Sequence, residues 1–341
     1  MTQVNNMKIL FIGDMTAGHC ANSLVEGFKE LGVDMRIIDT SSYMRRQSIG
    51  SREWFQRRFA HKPSQEWIEL FKLKISEVIF NWKPVIVFCI NTIHIPQEIL
   101  QNISCKIKVH LSYDDVSNGD NLTDDYLKHE CGWDVIFTNK IYNVEELETR
   151  STSQIVYFEN AYNPKLHRLY KPLANRKFDI GFIGARRIDR NKLPIILGEA
   201  HNLNAVVAGP RWRRSYPFGV RGVTLLPEVL NKDYTILGND VKVGLCLLNS
   251  ANRDQITTRS FELPAFGQVI VGQKSMQHED LLENGKEAFW FDTVPEMVEF
   301  SSKLLFDTAK CERVAISGYR RITGGKNTYA DRAIMMLHHL K

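Results

Sequence analysis

The chain reads as an α/β protein built of two Rossmann-like domains, and three observations lead there. Its apolar segments are short, continuous and rich in Val and Ile, and they alternate with stretches of helical period, the pattern of parallel strands covered on both faces. The opening K-I-L-F-I-G of residues 8–13 recurs as D-I-G-F-I-G at residues 179–184, each time ahead of a loop and a helix. A length of 341 residues exceeds what one ordinary core holds.

Composition narrows the class. Hydrophobic residues make up 43% and charged residues 24%, the balance of a folded globular protein rather than a disordered one. The formal charge of +5 is too small to mark a nucleic-acid binder, so no nucleic-acid partner is expected, but it suits a phosphate-bearing ligand or an anionic surface. Cys20, Cys89, Cys105, Cys131, Cys246 and Cys311 are scattered without C-x-x-C or paired His spacing, which argues against a structural zinc. No stretch reaches the ~18 apolar residues of a membrane span, and the first residues lack the long apolar core of a signal peptide. A cytoplasmic protein is expected.

In order along the chain, Lys8 to Ile12 is a buried-type strand and Gly13 to Gly18 a loop. His19 to Leu31 is a helix with Ala21, Leu24, Val25, Phe28 and Leu31 on one face, and Met35 to Ile38 returns as a strand. G-x-G-x-x-G is absent, which disfavours a dinucleotide-dependent dehydrogenase, and no cofactor is expected. Ser48 to Lys62 interleaves Trp54, Phe55 and Phe59 with Arg52, Arg57 and Arg58, and reads either as an amphipathic domain helix or as a contact for an anionic membrane. A helix runs from Pro63 to near Trp82, and strands follow at Pro84–Ile90, Lys106–Leu111, Asp134–Thr138 and Gln154–Phe158. Two prolines and no apolar period make Asn160 to Arg176 read as connecting chain. The second half offers strands at Asn204–Ala208, Val241–Leu248 and Val269–Val271, and a last helix over Thr328–Leu340. The expected domains are residues 1–165 and 178–326, with a linker at 166–177 and a final helix in 327–341 that can cross back to the first domain.

Carboxyl ends of parallel strands face the ligand, which singles out the polar loops that follow them. Asn91, Thr92 and His94 follow one strand, and Ser112, Tyr113, Asp114 and Asp115 another; the paired acids can serve as a base, bind acceptor hydroxyls or cap a turn. Arg186, Arg187, Arg190 and Lys192 follow the second F-I-G, where cations suit phosphate. Residues Thr257 to Gly272, T-T-R-S-F-E-L-P-A-F-G-Q-V-I-V-G, form a helix–turn–strand corner. Its Arg259 and Glu262 can hold one ligand together or be solvated on a surface helix.

This corner resembles the signature of the CgeB-like glycosyltransferases, of the family 1 and family 4 type, roughly T-x-R-x-F-E-x-x-A-x-G. Thr257, Arg259, Phe261, Glu262, Ala265 and Gly267 match it. The likeness continues in D-L-L-E-N-G-K-E-A-F-W-F from Asp280 and in G-Y-R-R from Gly318, and covers most of residues 178–335. It implies a GT-B architecture, two Rossmann-like domains facing a central cleft, with the acceptor on the first and a nucleotide-sugar donor on the second. The implied enzyme is a metal-independent glycosyltransferase whose acceptor is a glycan, a lipid-linked molecule, a protein or a small molecule; the alternative is a non-catalytic GT-B-like scaffold or nucleotide-binding protein.

Residue by residue, the resemblance implies that Glu262 closes an E-x7-E motif and accepts from the nucleotide ribose. The first acid of that motif falls on Asp254, one methylene shorter and about 1.5 Å less in reach. Arg186 and Lys192, six apart, would hold the donor pyrophosphate, with Arg187 or Arg190 as alternatives because the register is one residue late. Arg259, Thr258 and Gly209, the last through a G-x-x-W match with Trp212, complete the expected donor site. His19 is placed as the catalytic His of some inverting enzymes, and Asp114 is a second candidate base. Asp254 is the candidate for retaining transfer, which the signature favours.

Overall fold

The computed structural model describes residues 7–16, 18–41, 63–200 and 203–340, and the chain forms two compact units. One comprises Met1–Glu159 together with Tyr329–Lys341, and the other Asn160–Thr328. The basic aromatic segment with Trp54, Phe55 and Phe59 lies outside the described residues.

The first unit is a parallel sheet of β1 (Lys8–Gly13), β2 (Asp34–Asp39), β3 (Ile86–Ile90), β4 (Ile107–Ser112), β5 (Val135–Thr138) and β6 (Gln154–Tyr157), in the order β2-β1-β3-β4-β5-β6. Residues Ile9 to Ile12 and Ile86 to Ile90 are fully buried, which is why their sequences run apolar without alternation. Helix Gln65–Trp82 starts where the Ser64 hydroxyl accepts from the Trp67 N–H, and it stops at Lys83, in the left-handed region at φ 52. Phe71, Ile75 and Trp82 turn inward from it to meet Leu10, Ile12 and Val87.

Helix Tyr329–His339 belongs to this unit and packs against helix Cys20–Glu30. The contact is backbone to backbone, since a Cβ on Gly27 would lie 2.6 Å from the Tyr329 carbonyl.

The second unit is a parallel sheet of β7 (Phe178–Ile183), β8 (Ala205–Ala208), β9 (Val223–Leu226), β10 (Val241–Cys246), β11 (Val269–Gln273) and β12 (Phe289–Phe291), in the order β9-β8-β7-β10-β11-β12. Numbered from its own first strand this is 3-2-1-4-5-6, the dinucleotide-fold order, with its switch point between β7 and β10. The two edge strands β9 and β12 are absent from the sequence expectations. They hold four and three residues, too few to show a period.

Residues 160–177, expected to connect the domains, pack on the second unit instead. Ala161, Tyr162, His167 and Arg176 are buried. Arg176 donates to the carbonyls of Val241 (2.7 Å) and Phe266 (2.6 Å), and Asn239 Oδ1 accepts from the Tyr170 N–H at 3.0 Å. Among the described residues no helix is long and apolar enough to cross a membrane.

The Gly27 contact sets a sign test. Alanine is the better helix former by about 1 kcal/mol, so in an unpacked helix Gly27→Ala would stabilise. Against the Tyr329 backbone it should destabilise by ~1–3 kcal/mol, read as a lowered denaturant midpoint; a raised midpoint would refute the packing.

Candidate functional site

At the switch point of the second sheet two arginines cross the crevice in opposite directions. Arg259, opening helix Arg259–Ala265 after β10, donates Nε to the Ile183 carbonyl at the end of β7, 3.0 Å away. Arg190, in the loop after β7, donates to the carbonyls of Leu248 (2.9 Å) and Leu247 (3.4 Å) beyond the end of β10. Carbonyls that have run out of sheet partners are thereby satisfied by a cation from the opposite half. Burial pushes the Asp189 carboxyl up, but Arg190 and Ser250 outweigh it and hold the group below its ordinary value.

Glu262 holds Arg259 in place. Its Oε2 accepts from the Arg259 guanidinium and from the Tyr234 hydroxyl (2.7 Å), and its Oε1 faces His167 Nε2 at 3.6 Å. His167 Nδ1 accepts the Asn163 N–H at 2.9 Å, which leaves the ring proton on Nε2, toward the carboxylate. Burial lowers the His167 pKa more than Glu262 raises it, in keeping with a neutral ring. Burial raises the Glu262 carboxyl, but Arg259, His167 and Tyr234 together hold it below its ordinary value. Around it the rings of His167, Tyr234 and Phe266 meet edge to face at 5.4–5.5 Å, and the Arg259 guanidinium lies 4.7 Å over Tyr234. The solvated surface helix is thus excluded, because Ser260 to Ala265 are all buried.

Both ends of the Arg259–Ala265 helix are pinned. Ser260 Oγ donates to His278 Nε2 at 2.7 Å, and His278 Nδ1 donates to the Gln273 carbonyl at 2.7 Å, an assignment forced because a carbonyl only accepts. His278 also stacks on Trp290 at 4.4 Å. At the other end Gly267 adopts φ +69 and Arg176 caps the Phe266 carbonyl. On the opposite flank Gly209, at φ +144, sits so close to the first loop that a Cβ would lie 2.1 Å from the Gly184 carbonyl. Trp212 is buried and donates Nε1 to that same oxygen at 2.8 Å, so it belongs to the core.

Residues 190–338 match a family described as glycosyl transferase-like. Among solved structures, HepE of Anabaena in complex with UDP-glucose superposes with a TM-score of 0.66 at 13% identity, over 98% of this chain and 100% of that one. An alpha-glucosyltransferase in complex with UDP-glucose and DNA gives 0.67 at 14%, over 98% and 99%. Sucrose-phosphate synthase from Thermosynechococcus elongatus gives 0.67 at 12%, over 98% of both. No curated protein matches by sequence. The architecture is GT-B.

Within this GT-B chain the second unit gathers most of the residues singled out by sequence at one end of its sheet. The Thr258 carbonyl accepts from the N–H groups of Phe261 (3.0 Å) and Glu262 (2.9 Å), opening the helix without a side-chain cap. Asp254 Oδ2 accepts from the Asn249 N–H at 3.3 Å, closing the loop after β10. The Arg186 N–H reaches the Pro210 carbonyl at 3.3 Å, while its side-chain Nε is buried without a partner. Arg187 and Lys192 are exposed, Lys192 at the start of helix Leu193–Glu199. Of these basic side chains Arg190 is already committed to carbonyls.

His19 and Asp114 lie in the first unit, at the carboxyl ends of β1 and β4. His19 caps helix Cys20–Glu30, its Nδ1 accepting from the Ala21 N–H at 3.4 Å. Asp114 sits in a turn where Ser112 Oγ donates to its carbonyl at 2.9 Å. Asp115 is structural: buried, it accepts from Asn143 Nδ2 at 3.0 Å and from the Ser117 N–H at 2.9 Å.

Sequence reasoning missed His167, Tyr234 and Arg176. Asn163-Pro164 ahead of His167 is a helix-start signal, and the chain does make a turn there, with the His167 N–H on the Asn163 carbonyl at 2.7 Å. Tyr234 lies on helix Asn231–Asp240, whose N-K-D-Y-T-I-L-G-N-D carries little apolar period.

Burial pushes the His278 imidazole down from 6.5 to about 4 and His110 to about 3. Between the ordinary and the folded values the unfolded chain binds protons that the folded chain does not, so stability is full above ~6.5 and falls with pH. Urea unfolding should show this decline, and His278→Gln should flatten it by up to ~3 kcal/mol near pH 4; an unchanged slope would contradict the buried neutral ring.

Proposed function

We propose that the chain is a glycosyltransferase, CgeB-like in subfamily, which moves a sugar from a nucleotide-sugar donor at the β7–β10 crevice to an acceptor (a glycan, a lipid-linked molecule, a protein or a small molecule) served by the first unit. The observation that carries this reading is Arg259, a cation held across the switch point by Glu262 and the Ile183 carbonyl. Negative charge grows on the pyrophosphate as the C1–oxygen bond breaks. Arg259 is a fixed cation that stabilises it without a metal, and Arg186, with its unpartnered Nε, and the exposed Lys192 add positive charge from the loop after β7. Gly209 lets the backbone of its loop come close, and Thr258 flanks the phosphates. Two protein donors, Arg259 and Tyr234, sit on Glu262 Oε2, while Oε1, which only faces His167 at 3.6 Å, keeps acceptor capacity for a ribose hydroxyl. A uridine diphosphate sugar is the first donor to test, because HepE and the alpha-glucosyltransferase are both solved with UDP-glucose.

The signature favours retention. Asp254 then lies by the donor sugar, and the acceptor proton leaves on a phosphate oxygen as the acceptor oxygen bonds to C1. Inversion would instead need a base on the acceptor, His19 or Asp114.

Thermal shift with uridine, guanosine and thymidine diphosphates tests the site, a bound ligand at a hundredfold excess stabilising by ~2.7 kcal/mol. Glu262→Ala and Arg259→Met should each weaken nucleotide binding about ten- to a hundredfold. Unchanged affinity in folded variants would move the donor elsewhere.

Turnover separates the two stereochemical courses. Retention predicts that Asp254→Asn is slower than His19→Ala and that the product anomer matches the donor; under either course a chelator should have no effect. An NMR coupling constant showing the opposite anomer would establish inversion.

A further inference from the structure

The segment Arg211–Arg221, R-W-R-R-S-Y-P-F-G-V-R, carries four arginines and no acid. Arg211, Arg213, Arg214 and Arg221 are exposed, and among the described residues none forms an ion pair or a side-chain hydrogen bond. Phe218 sits in their midst with a relative exposure of 101%, as open as a free side chain. The exposure follows from local geometry. The Gly219 N–H donates to the Tyr216 carbonyl at 3.0 Å, closing a turn with Pro217 and Phe218 at its centre and Gly219 at φ +73.

The turn is anchored on both sides. Buried Trp212 donates to the Gly184 carbonyl, the Tyr216 hydroxyl donates to the Asn191 carbonyl, and Val220 packs by Gly198. Arg213, Arg214 and Arg221 line the shallow concavity beside the turn, which runs on to Val223 and Leu225 of β9.

We infer that this turn is an interfacial anchor for an anionic lipid bilayer, distinct from the nucleotide-sugar site. A soluble phosphate would use the arginines and leave Phe218 without a role. A bilayer surface uses both, with guanidinium groups at the depth of the lipid phosphates and the ring among the upper acyl carbons. A single aromatic offers no stacking platform for successive bases, which sets a nucleic acid behind the membrane. Rigid anchoring of the turn means that little order is lost on docking.

Flotation of the full chain with vesicles tests this, using phosphatidylcholine alone and phosphatidylcholine mixed with phosphatidylglycerol. Binding should require phosphatidylglycerol and fade as salt rises. Phe218→Ala should lower the partition about tenfold and Phe218→Trp should restore it. Arg213→Gln with Arg214→Gln should abolish it, while the unfolding midpoint and the nucleoside diphosphate response stay unchanged. No binding, or binding that survives these substitutions, overturns the proposal; the latter places the contact on another surface. Binding of a single-stranded oligonucleotide through the same residues in preference to the vesicles also overturns it.

Discussion

A carboxylate inside a protein is costly unless its oxygens are met, and the second unit is arranged around meeting those of Glu262. Its partners come from three places: Arg259 one turn back on the same helix, Tyr234 on the helix before β10, and His167 in the stretch ahead of β7. Satisfying one buried acid therefore fixes the helix, the side of the sheet and the entering chain against one another. Arg259 gains a defined direction from the same bonds, and that direction is across the switch point to Ile183. Positional accuracy at the crevice is thus a by-product of charge burial, since the groups that neutralise Glu262 also aim Arg259.

The crossing of Arg190 and Arg259 divides the basic residues of the crevice into two kinds. Arg190 spends its donors on the carbonyls of Leu247 and Leu248 and works as a tie between loops. Arg186 and Lys192 retain donors, and the Arg259 side chain stays about 30% exposed. Sequence alone treats these side chains as equivalent members of one basic cluster. The sheet order separates them, because β7 and β10 are neighbours and the carbonyls at their ends take Arg259 and Arg190 from the opposite strand's loop.

Much of the fold was legible because parallel strands buried on both faces have no reason to alternate. Ile86 to Ile90 announces itself as an unbroken apolar run, and Val241 to Cys246 as a run interrupted only by Lys242. Strands β9 and β12 do not, being short and at the sheet edges, and helix Asn231–Asp240 hides because its buried face includes Thr235, Gly238 and Asn239. At the site, Arg259 and Glu262 were legible as a pair from their spacing on one helical turn. What they do to each other was not, since His167 and Tyr234 reach them only through tertiary structure. The same holds for residues 160–177. Prolines and a missing period read as connection, yet buried Arg176 caps the helix that carries the site.

The packing of helix Tyr329–His339 on Gly27 makes the second unit an insertion within the first. A chain emerging vectorially from the ribosome can close Asn160–Thr328 while the first sheet still lacks one of its covering layers. Helix Cys20–Glu30 then keeps a bare groove at Gly27 until helix Tyr329–His339 arrives to fill it. Of these two units, the one that starts earlier along the chain is therefore completed later.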